Sequence, residues 1–255
     1  MSSAAHVAGQ AGAPPRGVRL LELDPELASG LTAEELRHAS RWALVRTADL
    51  DRGVHDPSSI GEPDLLGLLV LDGLLIRSVQ VAERRCGELV GAGAIVRPWD
   101  HFGQFAPMPF EVSWRVITPV RLALLDESLV KVASRWPALM RGIVRRAVER
   151  SHALALDVAI HSLQHIELRL LVLFWHLADR FGRVTRDGVI VPIKLSHSDI
   201  AELIGSQRPS TSVRLAQLAR DGKLMRRADR TWLLCGEPPD VLRDTRTHTS
   251  SASGV

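Results

Sequence analysis

Arg208, Ser210, Ser212 and Arg214 fall within one short stretch, RPSTSVR, and Arg226, Arg227 and Arg230 follow on a second, RRADR. Guanidinium and hydroxyl groups at this density suit one chemistry above others. An arginine fork donates to two phosphate oxygens or to the O6 and N7 edge of guanine, and serine hydroxyls address either. The spacing arranges them on a surface. Thr211, Leu215 and Leu218 stand at i, i+4 and i+7 and face inward, which turns Arg208, Pro209, Ser212, Val213 and Ala216 outward, with Arg214 near the border. Pro209 suits the first helical turn, where its missing N–H would have been unpaired anyway.

Upstream, KLSHSDIAELIG reads as a shorter helix. Ser196 and Asp199 have capping-box spacing, Ile200, Leu203 and Ile204 form an apolar stripe, and Gly205 stops the helix. Two helices joined by a tight turn predict a helix-turn-helix whose second helix enters a DNA major groove. Asp221-Gly222 ends that helix, and RRADRTWLL offers two extended pieces around an Ala-Asp turn. This is a wing that sets positive charge where phosphates lie beside the groove. The expected DNA-facing set is Ser196, Arg208, Pro209, Ser210, Ser212, Val213, Arg214, Arg226, Arg227 and Arg230. A plain structural helix pair with a solvated basic hairpin is the competing reading, but turn, caps, stripe and wing agree on the first.

The elements that must carry this surface divide the chain into five parts. Residues 1–17 are rich in Ala, Gly, Pro and Ser and are expected to be a disordered tail, as are residues 241–255. Within 18–125, a short helix is predicted between Leu31 and about Val45, where Thr32 and Glu35 form another capping box. Leu65–Ile76, Gln80–Val90, Ala94–Trp99 and Val112–Leu125 then read as strands, with Asp72-Gly73 as a hairpin turn. Short strands with Gly turns predict an antiparallel β-roll.

Residues 126–165 read as a dimerisation helix region, broken near Pro137 and again near His161. Met140, Ala147, Leu154 and His161 recur every seven residues, with Ile143, Val144, Ser151 and Val158 beside them. That is a short, imperfect coiled-coil seam suited to pairing two chains, against the alternative of a helix packed only on its own domain. Residues 166–240 form the winged helix-turn-helix domain, opened by a helix over Glu167–Phe181. The fold class is α+β.

Composition narrows the rest. A chain of 255 residues is long enough for two modest domains, and 45% hydrophobic with 24% charged residues is ordinary for a soluble globular protein. The net charge of +3 and the pI near 9.4 lean basic. No uninterrupted apolar run is long enough for a membrane span and no signal-peptide core opens the chain, so the cytoplasm is the default expectation. Two cysteines, Cys86 and Cys235, make neither a disulfide framework nor a metal-ligand spacing.

The order of β-roll, long helix and winged helix-turn-helix resembles the Crp/Fnr family of bacterial transcription regulators. The resemblance is strongest over about Glu167 to Leu234, and LSHSDIAELIGSQRPSTSVRLAQLARDGKL is similar to that family's DNA-binding signature. LVLDGLLIRS resembles the strand-turn-strand that opens its sensor roll. The resemblance implies a cyclic-nucleotide-binding-like roll, a homodimer, double-stranded DNA as partner and RNA polymerase as a candidate partner. In relatives that recognise the best-known palindrome, an Arg, a Glu and a second Arg read base edges. Arg208 matches the first, whereas Pro209 and Val213 replace the other two, which argues against that operator.

The effector is left open. Cyclic-nucleotide sensors hold ribose and phosphate with a Gly-Glu turn and an Arg followed by small hydroxyl residues. Here Gly87-Glu88 comes too early and no Arg-Ser or Arg-Thr pair follows in the roll, so effector-binding residues stay unassigned. Arg97 and Arg115 are the anion candidates, and Trp99, His101, Phe102, Phe105 and Trp114 either line an apolar pocket or fill the roll. No cofactor or metal is expected. An iron–sulfur sensor needs more cysteines, Cys86 reads as structural, and His161 and His165 read as packing or surface residues rather than zinc ligands. A protein-interaction module is the second functional reading, though its basic winged domain would demand an acidic partner. No nucleophile–base pair, phosphate loop or metal-ligand set points to catalysis.

Overall fold

A computed structural model describes residues 17–60, 65–97, 110–240 and 242. Trp99, His101, Phe102 and Phe105, residues 1–16 and the stretch from Arg243 onward lie outside the described residues.

Among the described residues the N-terminal half is built on seven antiparallel strands: β1 (Val18–Arg19), β2 (Leu44–Leu50), β3 (Gly53–His55), β4 (Gly67–Val81), β5 (Arg84–Gly91), β6 (Ile95–Val96) and β7 (Glu111–Leu125). They run in the order β1-β2-β7-β4-β5, with β3 on β7 and β6 on β4. Two α-helices, with a 3-10 turn at Pro25–Ala28 between them, precede β2. They are α1 (Leu20–Leu23) and α2 (Ala33–Trp42), whose capping box is complete: Thr32 Oγ1 accepts from Glu35 N–H at 3.3 Å, and the Glu35 carboxylate accepts from Thr32 N–H at 2.8 Å. The helix expected to reach Val45 stops at Trp42, because Leu44 already pairs with Arg19 on β1.

Asp72-Gly73 is not a hairpin turn. Strand β4 runs straight through it, paired with β7 on both sides, and the register shifts between Val70 and Leu75. Gly73 sits at φ +89, and a Cβ there would collide with the carbonyl of Pro119, so the glycine makes a β-bulge. The bulge changes which residues face inward. Leu68 and Val70 fill the roll interior before it and Leu75 after it, while Leu74 and Ile76 turn outward to the C-terminal domain. The true turn is Ala82-Glu83, inside the stretch read as a single strand from Gln80 to Val90, with Ala82 at φ 51. Of the strand expected over Ala94–Trp99, only Ile95 and Val96 pair among the described residues.

Helices α3 (Glu127–Arg135), α4 (Pro137–Ser162) and α5 (Ile166–Phe181) follow, with breaks at the two expected places. The Asp126 carboxylate caps α3 by accepting from Leu129 N–H at 3.2 Å, and Pro137 opens α4. Leu129, Ala133, Leu139 and Ile143 pack with Leu20, Leu27 and Val45 over one face of the sheet, separate from the roll interior around Leu68, Leu75, Trp114 and Leu122.

The C-terminal domain comprises α5, α6 (His197–Leu203), α7 (Arg208–Arg220) and a second sheet, β8 (Arg183–Thr185), β9 (Gly188–Val191), β10 (Leu224–Arg226) and β11 (Trp232–Leu234), in the order β10-β11-β9-β8. Phe174, Leu195, Ile200, Leu215, Leu218 and Trp232 form its core, and Ile76 from the roll is buried in the same cluster.

Candidate nucleic-acid interface

The two helices of the turn are held as their sequence requires. Ser196 Oγ accepts from Asp199 N–H at 3.2 Å, and the Asp199 carboxylate accepts from Ser196 N–H at 2.7 Å. Gly205, at φ +61, makes the bend into α7. Thr211, Leu215 and Leu218 are buried, which leaves Arg208, Pro209, Ser210, Val213 and Arg214 exposed and Ser212 half-buried on the other side. Val213 is 63% exposed, an apolar side chain of the kind that contacts a thymine methyl.

The predicted residues differ in what they have to offer. Arg208, Arg214, Arg226 and Arg230 make no ion pair with a carboxylate among the described residues, and Arg226 lies over the Trp232 ring at 5.9 Å. Arg227 instead donates to Asp229 at 3.1 Å and to Thr231 at 3.3 Å, so its charge is already answered within the wing. Asp229 in turn sits below the usual carboxylate range because Thr231 donates to it from both hydroxyl and backbone. The wing turn is therefore built by Arg227, Asp229 and Thr231, with Arg230 at φ 70. The Ser196 hydroxyl likewise serves as the helix cap.

Sequence reasoning passed over His197. Its Nδ1 lies 2.9 Å from Ser212 Oγ on α7, and its ring stands 6.1 Å from that of Trp232. Burial, then Arg226, then Arg208 hold its pKa below the ordinary histidine value. The ring thus joins α6, α7 and the wing.

The domain is seated on the roll through charge as well as Ile76. Arg115 on β7 places Nε 3.0 Å from Asp199 Oδ1 and donates from Nη2 to the Glu202 carboxylate, while Arg85 on β5 approaches Glu202 at 3.5 Å. Both acids lie on α6 and are buried. Arg115 is thereby committed to a domain contact rather than to an anion in the roll. Glu88 is similarly taken, paired with Arg150 at 2.9 Å and Arg77 at 3.7 Å, and Arg97 donates to the Leu66 carbonyl at 3.1 Å. Trp114 is fully buried among the side chains that fill the roll.

Along α4 the seam residues divide. Val144, Ala147, Ser151, Leu154 and Val158 are exposed, and Met140 is half-buried. Ile143 packs against the N-terminal helices, and His161 Nε2 lies 2.9 Å from the Leu203 carbonyl, so both are turned to their own chain. Val148, absent from the heptad reading, is 47% exposed beside Val144 and completes the stripe.

Residues 168–235 match the family model of the Crp-like helix-turn-helix domain. A curated relative, the CRP-like cAMP-activated global transcriptional regulator of Mycobacterium tuberculosis, is 26% identical over 183 residues, covering 70% of this chain and 79% of the relative. The chain carries a Crp-like helix-turn-helix domain and resembles the Crp/Fnr transcription regulators. Among solved structures, a CooA double mutant from Carboxydothermus hydrogenoformans matches this regulator with a TM-score of 0.62 at 17% identity, covering 91% of this chain and 95% of that one. The c-di-GMP responsive global regulator CLP of Xanthomonas campestris matches with a TM-score of 0.56 at 20% identity, covering 81% and 100%. These two likenesses give the regulator its fold: antiparallel roll, connecting helix and C-terminal helix-turn-helix. No described helix is long and apolar enough to cross a membrane.

Proposed function

We propose that the regulator acts as a homodimer that reads a pseudo-palindromic operator, with α7 of each copy in successive major grooves and the wing against the flanking phosphates. The observation that carries this is the outer face of α7: two arginines without carboxylate partners, two serines and an exposed valine, above a helix side sealed by Thr211, Leu215 and Leu218. Arg208 addresses guanine or phosphate, Arg214 and Arg226 address phosphate, and Pro209 and Val213 supply apolar contact and close approach.

The second copy is argued from α4. Val144, Val148, Leu154 and Val158 are 53%, 47%, 36% and 67% exposed along one face of a 26-residue helix. An apolar stripe of that length is normally covered, and two-fold pairing covers both copies at once. The roll then sets the placement of the two recognition helices, and any effector of this regulator acts through it. The same proposal includes a non-catalytic protein of the cytoplasm, with RNA polymerase as its further partner.

Fluorescence anisotropy of the full chain on its own upstream DNA, with excess random duplex and at two salt concentrations, tests the reading. Specific binding survives competitor and weakens steeply with salt. An absence of binding at low salt returns the protein-interaction reading.

A further inference from the structure

We propose that His197 is a proton-linked contact to the DNA backbone. On this proposal a phosphodiester settles among its ring, Arg208 and Arg226, His197 takes up a proton, and the operator is held more tightly as pH falls. The inference rests on the DNA-binding reading above and adds to it a contact and a response to pH.

The geometry comes first. His197 opens α6, half-buried, with Nδ1 2.9 Å from Ser212 Oγ on the recognition helix. Its Nε2 has no hydrogen-bond partner among the described residues. Trp232 on β11 lies beside the ring, and Arg226 on β10 reaches over the same indole. The charged groups that act on the ring are therefore Arg226 from the wing and Arg208 from α7, both cations. The nearest acid on its own helix, Asp199, is occupied by Ser196 N–H and Arg115. A half-buried imidazole flanked by two guanidinium groups without an anion is an incomplete arrangement, and the anion that two recognition-helix and wing arginines share on DNA is a backbone phosphate.

The free and bound states hold the proton differently. Without DNA, burial and two neighbouring cations favour the neutral ring, and its pKa lies below the ordinary histidine value. A bound phosphate cancels the repulsion from Arg208 and Arg226 and adds an attraction of its own, so the pKa rises on binding. By linkage, affinity then increases as pH falls through the interval between the two values. Protonation also alters the second nitrogen. In the imidazolium both nitrogens donate, so Nδ1–H donates to Ser212 Oγ, and the Ser212 hydroxyl is freed to donate its own proton to DNA.

The test is anisotropy with the full-length chain on its operator at constant ionic strength, from about pH 8 to about pH 6, for the wild type, His197→Gln and His197→Arg. The wild type should gain affinity as pH falls, by up to about tenfold per pH unit for one proton taken up. Its salt slope should steepen by about one over the same range. His197→Gln should bind weakly with no pH response, and His197→Arg tightly with none. A wild-type slope retained in either variant overturns the proposal. Should His197→Gln fail to fold, the ring resonances of wild-type His197 replace it. Their titration midpoint must move upward on adding operator, and an unmoved midpoint overturns the proposal. If the wild type binds no duplex at any pH, the DNA reading itself has failed and the proposal falls with it. Specific binding without pH dependence removes the proposal alone.

Discussion

At the scale of single residues, identical side chains part company according to their neighbours. Arg208 and Arg227 both read as DNA-facing from the sequence, yet Arg208 meets no carboxylate among the described residues while Arg227 is held by Asp229 and Thr231. Arg208→Ala should lower discrimination between operator and mismatched duplex by roughly tenfold to a hundredfold, the loss of one good base contact. Circular dichroism should be unchanged. Unaltered affinity and preference would remove Arg208 from the reading set. A buried acid gives a second prediction. Asp157 on α4 is pushed up to about 7, first by burial and then by Glu88. A carboxyl raised in the folded state contributes its stability below the unfolded value and loses it as pH rises through the folded one. Asp157→Asn should therefore raise Tm at about pH 8 and leave it unchanged near pH 3, with each kcal/mol worth about 2–4 °C in a chain of this size. A Tm difference of equal size at both pH values would reject burial of the charge as the cause.

At the scale of elements, α4 carries the clearest expectation. Val158, 67% exposed, has no packing role in its own chain, so Val158→Asp should leave the fold intact and abolish pairing. Sedimentation equilibrium at micromolar concentration should give a single-chain mass, and an unchanged dimer mass would remove this face from the interface. The heptad spacing made most of that face legible, but it carried Ile143 and His161 along, because a spacing cannot state which side of a helix its own domain already occupies. Two of the three Asp-Gly pairs show the same limit. Asp72-Gly73 has the composition of a hairpin turn and is a bulge, since β7 pairs with β4 on both sides of it. Asp187-Gly188 leads out of the β8–β9 hairpin turn, which Arg186 and Asp187 make; Gly188 opens β9 opposite Thr185, and a Cβ on it would strike the Leu234 carbonyl of the adjoining strand. The local preference for positive φ is common to both, and long-range strand pairing decides between them. The capping boxes at Thr32 and Ser196 were legible for the opposite reason, because every atom they need lies within four residues. His197 was not: its meaning comes from Ser212, Arg226 and Trp232, which only the folded domain brings beside it.

At the scale of the whole molecule, one question is how, on the proposed reading, the roll is coupled to the helix that would enter DNA. The contact runs through α6, whose buried Asp199 and Glu202 face Arg115 and Arg85 from the roll while Ile76 fills the domain core beside them. Asp199 is shared: the same carboxylate that receives Arg115 also closes the capping box at the start of α6. Movement of β7 therefore bears directly on the helix that positions α7 and, through His197 and Ser212, on the recognition face. Arg115→Ala leaves two buried acids short of a cation, and the lost charge-assisted bonds are worth about 1.5–3 kcal/mol. The cost should fall on the domain contact and not on the roll. Hydrogen exchange of α6 amides should quicken by roughly tenfold to a hundredfold, matching that energy. Amides of Leu68, Leu75 and Leu122, sealed in the roll interior, should keep their protection. Glu202→Gln, which retains the volume and one hydrogen-bonding oxygen, should give a smaller change in the same direction. Equal loosening of roll and α6 would mean that Arg115 supports the fold as a whole, and unchanged α6 protection would mean that the remaining contacts, Leu74, Ile76 and Arg85 among them, hold the domains together without Arg115.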